Sequence, residues 1–473
     1  MRLYSRTGEY AWLNSSNCVP STRHGTAFSQ FTLWLGANLQ ITAVVTGALA
    51  VVFGGDVVWS LVGLVLGNLL GGAVMALHSA QGPKLGLPQM IQSRAQFGVR
   101  GAVVPLLLVI VMYVGFFASG SVLAGQAVGE LTHTDDTTGI IVFALVTAVM
   151  ATVGYRIIHT LGRIASTICA LAFVYLGIRL LDRADLTALL HDAHFSLPMF
   201  LLAMSLSASW QLAFGPYVAD YSRYLPRTTS AKATFWWTLS GSALGSQWSM
   251  TFGVLVAATA GEKFLDSQVG YVVALGGTGL VASFFYFVIA LGKLTINVLN
   301  TYGGFMSMVT SVSGFSGKTV LSRRGRAAYI ALIMVAGTAV ALAGKDSFLA
   351  SFKDFLLFLL TFFTPWSAIN LADYYLVSRE RYDLPALFDP HGRYGAWRWG
   401  TLAVYAAGLL AQLPFLATGF YTGPLVEPLG GADISWLVGL VVPAVLFLLI
   451  SRRPADPSGN TGVVPSAAGA RTP

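Results

Sequence analysis

The sequence predicts an all-α polytopic membrane protein with about twelve spanning helices. Three observations predict it. The 473-residue chain is 55% hydrophobic and only 10% charged, with mean hydropathy +0.68. A soluble domain carries about 25% charged residues, so lipid rather than water must cover most of this surface. Apolar runs of about 20 residues, each long enough to cross a bilayer as a helix, recur along the chain. The charged residues fall largely between these runs.

In order the runs are 27–52, 57–80, 102–131, 139–158, 164–181, 197–219, 233–260, 279–303, 327–344, 350–376, 399–420 and 434–451. A polar segment, 1–26, precedes them and carries Arg2, Arg6, Arg23 and His24. It has no short apolar core with a cleavage site, so no removable signal peptide is expected. With this segment in the cytoplasm, loops on the same side hold most of the 28 lysines and arginines. The opposite side holds Arg179, Arg183, Lys263, Lys345 and Lys353. That asymmetry satisfies the positive-inside rule and puts both termini in the cytoplasm of a cell (inner) membrane protein. It also disposes of nucleic acid as a partner, which a pI near 9.4 would otherwise invite. The tail 452–473, rich in Pro, Gly, Ser and Ala, has too little apolar content to fold and is expected to be disordered.

The second run contains Gly63, Gly67, Gly71 and Gly72, a spacing that lets two helices approach closely, so it reads as a packing seam. The loop Gly82–Gly101 is basic and rich in Gly and Pro, and Leu384–Trp397 has a similar character; both read as structured cytoplasmic loops. The sixth and tenth runs end alike, at Ala219-Asp220-Tyr221 with Arg223 beyond and at Ala372-Asp373-Tyr374 with Arg379 beyond. Such an Asp most often ties a helix end to a neighbouring loop.

The stretch Ser205–Arg227 stands out. It runs from small apolar residues through Trp210-Gln211 to Gly215-Pro216, and ends at Asp220. A Gly-Pro step inside a span frees backbone groups that must face protein or a polar cavity. Discontinuous helices of this kind build many transporter sites, although a plain proline kink has the same signature.

Enzyme signatures are absent from the sequence: no HExxH, no G-x-S-x-G elbow, no pair of carboxylates in mid-span. Cys18 and Cys169 lie too far apart in sequence to suggest a metal motif, and the seven histidines are scattered. The polar groups inside the runs are more telling. The first run has Gly36, Asn38, Leu39 and Gln40; the third has Tyr113 and Phe116; the sixth has Trp210 and Gln211; the eighth has Lys293, Thr295, Asn297 and Asn300. Uncharged amides can hydrogen-bond a neutral ligand and aromatic faces can sandwich a flat one. The same amides could instead bridge helices. Lys293 is the exception, because a charge in mid-membrane is costly and marks function by default. It could carry a proton, stand in for a bound cation, or pair with an anionic substrate.

Four segments then carry a resemblance: GPKLGLPQMIQSRAQFG (Gly82–Gly98), PYVADYSRYLP (Pro216–Pro226), Asn297-x-x-Asn300-x-Tyr302, and PWSAINLADYYL (Pro365–Leu376). Together they resemble the nucleobase–cation symporter family 1, and within it the purine–cytosine permease branch. The resemblance implies a LeuT-like fold, with an inverted repeat of helices 1–5 (27–181) and 6–10 (197–376) and two added helices (399–451). It implies a secondary transporter, not an enzyme, that works by alternating access with proton or sodium as coupling ion and no other cofactor. Carried over by position, Gln40, Tyr113, Phe116, Trp210, Gln211, Asn297 and Asn300 would contact a small heterocyclic substrate. Gly36, Leu39, Lys293 and Thr295 would form the cation-coupling site. Phe116 and Gln211 depart from the family: Phe116 stands where many members have a stacking Trp, and Gln211 where members have an aromatic residue. Lys293 lies where an ammonium would repel sodium and could replace its charge. The expectation is therefore import of a neutral base, cytosine or a purine, with a proton. The rivals are an allantoin- or hydantoin-type ureide or an anionic base as substrate, or a non-transporting nucleobase sensor.

Overall fold

The computed structural model describes residues 23–153, 155–191, 193–317 and 322–451. The expectations for 1–22 and 452–473 lie outside the described residues. Among the described residues the structure is helical, with one isolated β-bridge between Ala417 and Thr422 and no strand.

The first run is two helices, not one. α1 (Phe28–Asn38) and α2 (Ile41–Val52) meet at a 64° bend. α3 (Val57–Leu85) begins where Asp56 accepts a hydrogen bond from the Trp59 backbone N–H. It ends at Gly86, whose φ of 68° closes the helix in a left-handed turn. The loop after α3 folds into two short helices, α4 (Gln89–Gln92) and α5 (Arg94–Phe97). α6 (Val103–Thr132) and α7 (Asp136–Val153) follow, and α8 (Tyr155–Leu181) begins well before the expected start at 164. After the short α9 (Leu186–His191), α10 (Leu197–Leu212) and α11 (Gly215–Ser222) form a second bent pair, at 40°. This break falls at Ala213-Phe214, next to the predicted Gly-Pro step.

α12 (Ala231–Ala260) is followed by two short helices, α13 (Lys263–Asp266) and α14 (Gln268–Gly276). α15 (Leu280–Ser316) runs 37 residues, thirteen beyond its predicted end at 303. α16 (Arg323–Gly344) passes through a 3₁₀ turn into α17 (Phe348–Leu371), which finishes in a π-helical segment, Ala372–Val377. α18 (Trp399–Gln412) and α19 (Ser435–Ile450) complete the chain. By length and composition alone, four helical stretches among the described residues could cross a membrane: Val57–Leu85, Val103–Thr132, Leu280–Ser316 and Arg324–Val377. The number is six if each bent pair is one crossing, and several shorter helices are also apolar.

Glycines set the closest helix contacts. Added Cβ atoms at Gly63, Gly67 and Gly71 of α3 would strike the α10 backbone at Phe200, Met204 and Ala208. Gly241 and Gly245 of α12 lie in the same way against Phe31 and Leu35 of α1, and Gly253 against Val44 of α2. The small-residue spacing in the second run is thus a backbone-to-backbone seam. α6 packs instead along α15, α7 and α16.

Around the α4–α5 loop the amide side chains form a directed chain. Gln81 Nε2 donates to Asn370 Oδ1 (3.0 Å), Asn370 Nδ2 to Gln96 Oε1 (3.2 Å), and Gln96 Nε2 to the Asp373 carboxylate (2.6 Å). Asp220 accepts from the Gln89 backbone N–H at 2.8 Å. Both aspartates therefore tie a helix end to the loop α4–α5. Arg94, buried in that loop, donates to the carbonyls of Leu387 and Thr310 and to Ser313 Oγ. Burial pulls its guanidinium down to about 10.

Candidate functional site

The site is built where α1 breaks. Gln40 is extended (φ −149°, ψ 155°) between the two helices, so the last carbonyls of α1 lack their usual helical partners. Substitutes are found locally. Gln40 Nε2 donates to the Ala37 carbonyl at 2.8 Å, and Ser249 Oγ to the Asn38 carbonyl at 2.8 Å. No proline marks this break. The polar run Gly36-Ala37-Asn38-Leu39-Gln40 holds the break, and its Gln40 amide supplies one of those substitutes.

Against the break stands Lys293 of α15, only 2% exposed. Its ammonium donates to Gln40 Oε1 at 3.0 Å and to Thr42 Oγ1 at 2.6 Å. Its hydrogen-bond partners among the described residues include no carboxylate. A small cavity opens here, lined from α1 and α2 by Gly36, Ala37, Leu39, Gln40 and Ile41. α8 contributes Cys169 and Phe173, and α15 contributes Ile289, Gly292, Lys293, Thr295 and Ile296. The structure thus brings Gly36, Leu39, Gln40, Lys293 and Thr295 together. Thr42, Cys169 and Phe173 were not singled out from the sequence. Thr42 is the second residue of an apolar helix, and nothing local distinguishes it.

Beside this cavity lies an aromatic cluster. Phe116 meets Trp210 edge to face (5.8 Å, 89°) and Phe355 of α17 likewise (5.3 Å, 81°). Trp210 meets Phe214 at 5.8 Å, and Tyr113 lies tilted against Tyr217 at 5.6 Å. Gly115 and Gly303 make room for this arrangement, since Cβ atoms there would strike Phe355 and Tyr113 respectively. Phe214, Tyr217 and Phe355 are additions to the predicted set. Each looks from the sequence like any lipid-facing aromatic.

Asn297 and Asn300 lie one turn apart on α15. Asn297 Nδ2 donates to the Phe117 carbonyl and to Ser121 Oγ, both at 3.0 Å. A carbonyl can only accept, so this contact fixes which end of the amide is nitrogen. Asn297 Oδ1 and Asn300 Nδ2 are both buried and have no hydrogen-bond partner among the described residues. Gln211 differs: Nε2 donates to Asn68 Oδ1 (2.9 Å) and Ser246 Oγ (3.0 Å), and Oε1 accepts from Ser242 Oγ (2.6 Å). Its amide faces α3 and α12 rather than the aromatic cluster. Among the described residues no group of three or more His, Cys, Asp or Glu could hold a metal ion.

The family model described as "Permease for cytosine/purines, uracil, thiamine, allantoin" matches residues 19–439. The chain belongs to this permease family. It is therefore a membrane transporter and not an enzyme. A Bacillus subtilis (strain 168) protein, YxlA, assigned as a purine-cytosine permease, is 39% identical over 454 residues, 96% of each chain. The purine-cytosine permease fcyB of Emericella nidulans is 24% identical, over 89% of this chain and 84% of its own. Among solved structures, the inward-facing conformation of Mhp1 superposes with a TM-score of 0.74 at 20% identity, covering 92% of each chain. The permease shares that LeuT-like fold. Its α1/α2 and α10/α11 breaks open the first and sixth of the runs predicted from the sequence.

Proposed function

We propose that this permease imports a neutral nucleobase, cytosine or a purine, together with one proton. In this reading twelve crossings are organised as two inverted repeats, 27–181 and 197–376, followed by 399–451, with both termini cytoplasmic. The observation that carries the ion assignment is the Lys293 ammonium, held by Gln40 and Thr42 in the cavity at the α1 break. A sodium ion in the same cavity would stand a few ångströms from that charge. At 4 Å and an effective dielectric near 20, two like charges repel by about 4 kcal/mol, roughly a thousandfold in affinity. Lys293 would instead bind and release the coupling proton, with Gly36, Leu39 and Thr295 forming the rest of its cavity.

The substrate surface would be Trp210, Phe116 and Tyr113 for the ring faces, with Asn297, Asn300 and Gln40 for the edges. The acceptor on Asn297, with the Asn300 amide able to present its donor beside it, suits a ring edge that offers a donor beside an acceptor, as cytosine and oxopurines do. The amide of Gln211, with its partners on neighbouring helices, would support the site from behind. A second reading, a ureide such as allantoin or a hydantoin, is favoured by the same two amides. Such rings offer the same edge without an aromatic face. The family description names allantoin beside cytosine and purines.

The test is uptake of labelled cytosine into proteoliposomes under an inward proton gradient or an inward sodium gradient, chased with unlabelled purines and allantoin. Proton-driven uptake competed by purines is expected. Uptake driven by sodium alone would remove the role given to Lys293. Absence of cytosine uptake, with allantoin transported, would establish the second reading.

A further inference from the structure

Asn38 ends α1 at the break, and its side chain is saturated. Oδ1 accepts from Trp210 Nε1 at 2.6 Å and from Ser246 Oγ at 2.7 Å. Nδ2 donates to the Trp34 carbonyl at 2.7 Å and to Ser242 Oγ at 3.2 Å. Two acceptances and two donations are all an amide can make. The orientation is forced, because an indole N–H can only donate and a carbonyl can only accept. Ser242 and Ser246 are held in turn by Gln211, itself anchored on Asn68 of α3. Asn38, Gln211, Ser242 and Ser246 are fully buried. The Trp210 ring is thus fixed at its N–H by the broken end of α1, and two further rings, Phe116 and Phe214, touch it edge-on.

Two residues further along the same turn, Gln40 receives the Lys293 ammonium. A single backbone break therefore holds the Trp210 ring at one end and Lys293 at the other. We propose that Asn38 is a positioning residue that sets the angle of the Trp210 ring, so that base affinity depends on the same turn that holds Lys293. This rests on the reading of Trp210 as part of the substrate surface. Asn38 touches no substrate in this scheme and acts through the indole.

The test measures cytosine uptake by full-length permease in proteoliposomes, comparing Asn38→Ala, Trp210→Phe, the double variant, Trp210→Ala and Ser242→Ala. Trp210→Phe keeps an aromatic ring but removes the N–H. A net hydrogen bond of this kind corresponds to about a fivefold to tenfold effect. Trp210→Phe and Asn38→Ala are each expected to raise the cytosine KM by about that factor, with kcat changed less than about twofold. The double variant is expected to be no worse than either single one, because both remove the same contact. Ser242→Ala, which removes one of the four bonds of Asn38 but leaves the indole bond in place, is expected to raise KM less than Asn38→Ala does.

A Trp210→Phe variant with unchanged KM, while Trp210→Ala raises it, would overturn the positioning role and leave the substrate surface standing. Multiplying effects in the double variant would do the same. An unchanged KM in Trp210→Ala would instead overturn the substrate surface, and with it this proposal. If Asn38→Ala yields no folded protein, Trp210→Phe decides alone.

Discussion

Replacing Lys293 by Gln is expected to separate accumulation from permeation. The structure places one lysine, and no carboxylate partner among the described residues, in the cavity at the break. A neutral base carried with one proton can be concentrated by no more than the proton gradient itself. One pH unit corresponds to 1.36 kcal/mol, so it can hold about a tenfold accumulation. An added membrane potential of about 100 mV, inside negative, contributes about 2.3 kcal/mol more, or roughly another fiftyfold. In Lys293→Gln the amide can still donate to Gln40 or Thr42, but no proton moves with the base. Its accumulation ratio is expected to fall to about one under either driving force. Exchange of labelled for unlabelled cytosine across the membrane, which needs no net proton movement, is expected to continue. Insertion should not suffer, since a lysine at mid-membrane costs about 3 kcal/mol on insertion scales. The assay is steady-state labelled cytosine inside proteoliposomes at imposed pH steps, with counterflow as the companion measurement. A Lys293→Gln permease that still accumulates about tenfold per pH unit would refute the reasoning.

Three further expectations follow from particular contacts. Phe116→Ala removes the ring between Trp210 and Phe355; with base stacking worth about 1–3 kcal/mol, the cytosine KM should rise about fivefold or more, read in the same uptake assay. Gly67→Val would drive a branched side chain into the Met204 carbonyl and Ser207, costing about 1–3 kcal/mol or more, visible as lower thermal stability in detergent. Arg94→Lys keeps the charge but cannot reproduce the fork that reaches Leu387, Thr310 and Ser313 together, so about 1–3 kcal/mol should be lost by the same measurement.

Much of the helical order was legible because spanning helices must be long and apolar, and because Gly215-Pro216 advertises its break in sequence. The break at Leu39 was not, since no proline is needed when Gln40 and Ser249 satisfy the freed carbonyls. The overrun of α15 to Ser316 escaped for another reason: past residue 303 the helix turns polar enough to read as a loop, yet Arg94 and Val99 of the neighbouring loop lie against it. Lys293 was legible as an anomaly because charge in an apolar run has no bland explanation. Its partners were not, because a threonine such as Thr42 in a helix carries no sign of what it faces. Gln211 shows the opposite limit. An amide beside a tryptophan suggests a ligand, and only the placement of Asn68, Ser242 and Ser246 reveals that three of its four valences are already taken.

The glycine seams have a mechanical consequence. Where α3 lies on α10, and α12 on α1 and α2, main chain rests on main chain. Such joints have no rotamers to exchange, so they are stiff: the helices they join can tilt together but cannot slide past one another. Between this block and the pair α6 and α15 some of the touching parts are of another kind: the Lys293 stem reaches from α15 to Thr42 of α2, and the Tyr113 ring of α6 lies against Tyr217 of α11. These can swivel and find new seats at little cost. Compliance is therefore expected in this layer of side chains, to which the proposed substrate surface belongs.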